Sequence, residues 1–232
     1  EWGVDVTGPE LNGSLAWAGS QFRQYARVFL GLAAVVSVLL FGQQIASSPL
    51  TDVLQGCLSA TTDGQRLACQ TALSGGILPT LLVVLGFGLL ADFATIGVVR
   101  AALWADLGRK PEFGALLVPV TSGRYLGVVL LQTVLTGIGL VLCILPGLLV
   151  MFLLQFARYA VIDLDCSISQ AIRVSARLAL RNPVPALMTG LFALVQILIG
   201  SACFGIPNLL VLPIASLFVA RVYRQLQSGV TG

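Results

Sequence analysis

The chain contains no histidine, and only 10% of its 232 residues carry charge. The first absence removes the commonest general base and the commonest metal ligand. The second excludes an ordinary soluble domain, in which about a quarter of the residues are charged. Also missing are a phosphate-cradling glycine loop, a nucleophile–base pair and paired carboxylates at catalytic spacing. An enzyme is therefore not expected, and neither is a cofactor, a metal or a nucleic-acid partner. What remains is 57% hydrophobic, with a mean hydropathy of +0.95. That is the composition of an all-α, polytopic membrane protein.

The organising stretch runs from Arg124 to Asp163. It holds two apolar runs separated by Pro146-Gly147, too long for one crossing of about 20 residues. Proline removes a backbone donor and glycine accepts turn angles, so a helical hairpin with its corner at Pro146-Gly147 is expected. One long kinked helix would overshoot the bilayer about twofold. The same reasoning along the chain gives six spans in three hairpins, over residues 26–45, 77–104, 125–145, 147–163, 184–204 and 206–223. Residues 46–76 read as the one sizeable outer loop. Residues 7–25 and 167–181 read as amphipathic helices lying in the interface. The second carries Arg173, Arg177 and Arg181 at every fourth position, opposite Ile168, Ala171, Ile172 and Ala179.

Six spans leave both termini on one side. Twelve of the 13 basic residues fall at or near that side and Arg66 alone on the other, which makes it cytoplasmic by the positive-inside rule. Four tyrosines and Trp104 mark the same boundary. A weak threefold pattern, a half-apolar segment leading through arginine into a hairpin, is also visible. The arginine stripe suits anionic inner-leaflet headgroups or an acidic partner.

Several short motifs stand out: Leu15-Ala-Trp17 ahead of Phe22, Arg100-Ala-Ala-Leu-Trp104 with Gly108-Arg-Lys-Pro111-Glu-Phe113, and Leu142-Cys143-Ile-Leu-Pro146-Gly147. Asp163 before Ala171-Ile172-Arg173-Val-Ser175, and Arg181-Asn182, complete the set. On these the chain resembles the YciC-like group of bacterial six-helix integral membrane proteins in its actinobacterial form. The resemblance covers most of the chain except 46–76. It implies a plasma (inner) membrane location and six spans, and it implies no activity.

Few residues carry candidate chemistry. Cys57 and Cys69, with eleven residues between them, lie where disulfides persist, and closing so short a loop stabilises by on the order of 3 kcal/mol. Cys143 and Cys203 sit near the outer ends of two spans, where a meeting is an open alternative. Counted at about 1.5 Å per residue, Asp92 lies roughly 20 Å below the outer edge of its span and Arg158 about 17 Å below its own. Gln132 reaches a similar depth. Charges there must pair or face a wet cavity. A structural ion pair is the plainer account, and a polar relay or substrate path the alternative. Gln155 and Gln196 are placed to hydrogen-bond between the fourth and fifth spans, at about 1 kcal/mol each.

Two functions follow as expectations. The first is a non-catalytic scaffold or accessory subunit of a larger membrane complex, held among other membrane proteins in a bilayer with anionic lipids. The second is a small transporter or lipid-handling protein with a polar path at Asp92, Arg158 and Gln132. A transporter should show a midplane cavity and interrupted helices, whereas a scaffold should be dry inside.

Overall fold

A computed structural model describes residues 11–111, 113, 122–202 and 207–231. These residues are almost entirely helical, with no strand among them. The helices are α1 (Leu11–Gln24), α2 (Ala26–Leu58), α3 (Asp63–Asp106), α4 (Ser122–Leu142) and α5 (Ile144–Leu154). They continue as α6 (Ala157–Leu164), α7 (Ile168–Arg181), α8 (Pro183–Ala202) and α9 (Asn208–Thr231). Five stretches are long and apolar enough to cross a membrane: Ala26–Leu58, Pro79–Asp106, Leu145–Leu164, Pro183–Gly200 and Asn208–Ser228. The chain is a multi-helical membrane protein.

The expected outer loop at 46–76 is corrected: it is helix on both sides of a short turn at 59–62. Its serines and threonines read as loop residues because they usually compete with helix for backbone hydrogen bonds. Here they satisfy the helix instead. Ser47, Thr51 and Thr71 donate to carbonyls three or four residues back. Ser48 Oγ donates to the Ile45 carbonyl at 2.8 Å, which is the acceptor that Pro49, lacking an N–H, leaves open. Thr62 and Gln65 form a reciprocal capping box that starts α3. At 33 and 44 residues, α2 and α3 rise about 50 and 66 Å. They pack along each other and are clamped near the turn by a Cys57–Cys69 disulfide with Cα atoms 5.4 Å apart.

The corner of the organising stretch also moves. The chain turns at Cys143, which has extended backbone angles, and Pro146 lies inside the first turn of α5. Proline is tolerated there because the first turn's N–H groups have no helical partner. The turn is tight enough that a Cβ on Gly139 would come within 2.7 Å of the Gly147 backbone nitrogen. The span expected over 147–163 is likewise not one helix. It is α5 and α6, interrupted at Gln155-Phe156.

Burial is concentrated at one end of the bundle. Phe29, Val98, Tyr125, Val128, Phe156, Val161, Leu217 and Tyr223 are fully buried there. α1 packs against α9 and α2, and α7 against α4, α5, α6 and α8. The leucines of the opposite end, among them Leu82, Leu142, Leu145 and Leu198, are exposed, as expected where acyl chains act as the solvent. Ion pairs close the packed end. Arg224 meets Asp163 at 2.5 Å and Arg221 meets Asp106 at 2.8 Å, with the two carboxylate side chains only 10% and 7% exposed. Arg221 also lies over the Trp17 ring, 5.0 Å from its centre, and Ser14 donates to Gln225. Together these dock α1 on α9. The buried side of α1 accordingly holds Ser14 and Ala18, and Leu15 faces outward.

Removing the clamp tests the arm. Peptide mapping without reductant should recover Cys57 and Cys69 joined. A Cys57→Ser/Cys69→Ser protein should unfold at lower denaturant, by about 3 kcal/mol, in a circular-dichroism titration.

Candidate functional site: a cavity beside an interrupted helix

The interruption in the Leu145–Leu164 stretch has an identifiable cause. Ser175 of α7 inserts its hydroxyl between α5 and α6. It donates to the Leu153 carbonyl at 2.6 Å and accepts from the Phe156 N–H at 3.1 Å. A side chain entering the helical ladder in this way breaks the helix. α7 presents Ser175 because Ala171, Ser175, Leu178 and Ala179 form its buried stripe, and a Ser167–Gln170 capping box fixes its start. Arg173, Arg177 and Arg181 occupy the exposed side of the same helix.

The residue at the break is held from the other side. Gln155 Nε2 donates to the Ala186 carbonyl at 2.8 Å, and Thr189 Oγ1 donates to Gln155 Oε1 at 2.9 Å. Gln155 thus links to α8 as expected, but through Thr189 and a carbonyl and not through Gln196. The side-chain amide and the hydroxyl satisfy each other in a site where an unpaired polar group costs about 1–3 kcal/mol.

Beside the break lies a cavity of about 430 Å³. It is bounded by α4, the α5–α6 junction, α8 and α9, with Thr95 and Val99 of α3 behind. Most of its wall is apolar, from residues such as Met151, Phe152, Leu191, Phe192 and Leu212. Gln132, Gln155, Gln196, Thr189 and Arg158 supply polar groups. Leu148, Leu187 and Leu191 on its rim are exposed.

The three residues singled out at depth come together here. Arg158 Nε donates to Gln132 Oε1 at 3.2 Å, and Arg158 Nη1 stands 3.8 Å from Asp92 Oδ1. That separation is an ion pair without a hydrogen bond. Both side chains are about one-third exposed, at 31% and 30%, so the pair borders open space. Tyr125, one helical repeat before Gln132 on α4, is fully buried. Its hydroxyl lies beside the same guanidinium, and among the described residues nothing accepts its proton. Sequence reasoning assigned Tyr125 to the aromatic belt; its seven-residue spacing from Gln132 was the available signal. Ser175 and Thr189 were missed because a single hydroxyl in a helix carries no pattern.

The remaining expectations fall elsewhere. Cys143 is an exposed free thiol, and its suggested partner Cys203 lies outside the described residues. Burial pushes the Cys166 thiol up, with its Sγ against the Ala160 carbonyl. No group of three metal-binding side chains exists among the described residues. Arg124 donates to the Asp165 carboxylate at 2.9 Å and to the Asp165 carbonyl at 2.7 Å.

Two measurements probe this geometry. Ser175→Ala leaves a buried N–H and a buried carbonyl unpaired and should lower stability by about 1–3 kcal/mol, read by thermal denaturation in detergent. Asp92→Asn and Arg158→Gln should each cost more than the double change, because each single variant strands a charge. Additive single costs would show that the two groups do not interact.

No family model matches the chain, and no solved structure matches it. It is similar to uncharacterized proteins of Mycobacterium bovis and of two Mycobacterium tuberculosis strains. Each is 25% identical over 239 aligned residues, which span 97% of this chain and 71% of the relative. The similarity therefore extends across the α2–α3 arm as well as the bundle around the cavity.

Proposed function

We propose that this chain is a six-span protein of a bacterial plasma membrane that takes a small amphiphile from the bilayer into the cavity beside its interrupted fourth span, as a transporter or lipid-handling protein. In this reading the three helical pairs are α2–α3, α4 with α5–α6, and α8–α9. The 21 residues of α4 rise about 32 Å, enough for the sixth crossing. α1 and α7 lie at the cytoplasmic interface, with Arg173, Arg177 and Arg181 toward anionic headgroups. The resemblance to the YciC-like group belongs to the same proposal.

The observation that carries the reading is an arginine facing a cavity at the level of a broken helix. Non-helical backbone within hydrocarbon is tolerated where it is buried in protein or lines a cavity, and discontinuous helices mark substrate sites in many transporters. A scaffold needs no such chamber. Its volume falls within the range of about 300–1,000 Å³ usual for small-molecule sites. The rim of exposed leucines suits entry from the acyl-chain region.

One feature favours the scaffold reading as a second function. A hydrocarbon core of about 30 Å is crossed in roughly 20 residues, so α3, counted from Asp106, carries the disulfide end of the arm well beyond it. A clamped two-helix projection with Leu58 and Leu67 exposed suits a docking element for an accessory subunit.

A filled cavity separates the two readings. A Cβ on Gly190 would touch Gln155 Oε1 at 3.5 Å, an ordinary contact, so a side chain can start there and Gly190→Leu adds bulk to the wall. Wild-type protein should retain a stoichiometric amphiphile through purification, detected by solvent extraction and mass spectrometry, and Gly190→Leu should lose it. Equal retention by both would sink the proposal. Orientation is checked by cysteine accessibility, with Gly64 expected outside and Lys110 and Gly232 inside. Labelling of Gly64 from the cytoplasm would overturn the topology.

A further inference from the structure

The cavity holds more hydrogen-bond donors than acceptors near its charged wall. Arg158 has five N–H donors, more than Gln132, which accepts from Nε, and the Tyr125 oxygen beside the group can take up. Its Nη1 faces Asp92 across 3.8 Å, a gap that leaves the carboxylate as counter-charge but not as acceptor. The Tyr125 hydroxyl adds a further donor beside the guanidinium. It sits on a side chain with no exposure, and among the described residues nothing accepts its proton, since the neighbouring guanidinium can only donate. Buried hydroxyls are ordinarily hydrogen-bonded, so one without an acceptor at the edge of a cavity indicates a missing partner. The missing partner is an acceptor carrying negative charge, because a guanidinium and a phenol converge on the same place.

The rest of the cavity says what the anion is attached to. Gln155 and Thr189 use each other and the Ala186 carbonyl, so they add little polar surface for a sugar or peptide. Away from Arg158 the wall is Leu148, Phe152, Leu187, Leu191, Phe192 and Leu212. We infer that the cavity binds a single-chain anionic amphiphile. Its carboxylate or phosphate head accepts from Arg158 and Tyr125, and its chain lies along the apolar wall toward the exposed leucines of the rim. This rests on the amphiphile reading above and deepens it by naming the charge and form of the ligand.

Asp92 then has a defined part. It is the resident anion that balances Arg158 while the cavity holds no head, and the ligand's head replaces it. Because Asp92 is on α3 and Arg158 on α6, head binding releases the ion pair that joins those two helices. The acid is a competitor for the site and not a contact of the ligand.

Charge dependence of binding tests this directly. The full chain in phosphatidylcholine nanodiscs is titrated with dodecyl phosphate, dodecanoate, dodecylamine and inorganic phosphate, with empty nanodiscs subtracted. The two anionic chains should bind saturably, and the amine should bind at least about tenfold more weakly. Inorganic phosphate alone should not displace them, since it lacks the chain. Tyr125→Phe should weaken anionic-chain binding about tenfold or more, the factor expected for one hydrogen bond to a charged head. Asp92→Asn should strengthen it by a similar factor by removing the competitor. Arg158→Gln should abolish it, and the Asp92→Asn/Arg158→Gln protein, which strands no charge, should remain folded and still fail to bind. Undiminished binding by that double variant, or equal binding of amine and phosphate chains, overturns the anion site. If chains of either sign bind and Gly190→Leu blocks both, the anion inference fails while the amphiphile reading stands. If no chain binds the wild type, both fail.

Discussion

Inside a bilayer a backbone that leaves the helical ladder has no water to turn to, and each unpaired group there costs several kcal/mol. The junction of α5 and α6 meets that constraint with one hydroxyl. Ser175 supplies an acceptor to Phe156 and a donor to Leu153, so the helix opens without an orphaned group at either atom. Gln155 is turned outward by the same opening and is taken up by Thr189 and Ala186. The cavity, the position of Arg158 and the packing of α7 all follow from where that break is placed. α7 thereby has a structural task on one face, independent of the arginines on the other.

The division of the bundle into a packed and an open end has the same physical root. Aromatic and small side chains interlock where α1 and α7 cover the bundle, and Asp106 and Asp163 are buried there against Arg221 and Arg224. Such pairs contribute little by themselves, but stranding either carboxylate would be costly. They fix α9 against α3 and α6. Toward the other end, side chains meet lipid and the helices need not mesh, which leaves room for a chamber at the transition. Of the basic residues, Arg124, Arg158, Arg221 and Arg224 are engaged by acids, while the stripe on α7 faces outward.

How much of this the sequence made legible depends on whether the signal was local. Apolar runs mark the helices because burial in lipid is a property of each segment alone. Depth counting puts Asp92 and Arg158 within a few Å of one level, and the two stand 3.8 Å apart. The arm at 46–76 was misread because serine and threonine favour loops in water. Here Ser48 compensates Pro49, and hydroxyls bond back along their own helix. The break at Gln155-Phe156 was invisible because its cause lies 19 residues away in Ser175, in a helix noticed for its arginines. Pro146 drew the corner three residues too late, since a proline signals a helix start as readily as a stop.

The α4–α5 corner carries a consequence for how the chain tolerates change. Gly139 and Gly147 meet backbone to backbone, with no space for a single carbon between them. Neither residue has any chemistry to offer, and both sit in apolar runs where leucine, valine and alanine interchange freely. A mutational scan would therefore find its most intolerant positions in the plainest stretch of the sequence, while the polar arm, at Gly56 or Gly64 where a side chain meets nothing, would accept almost any replacement.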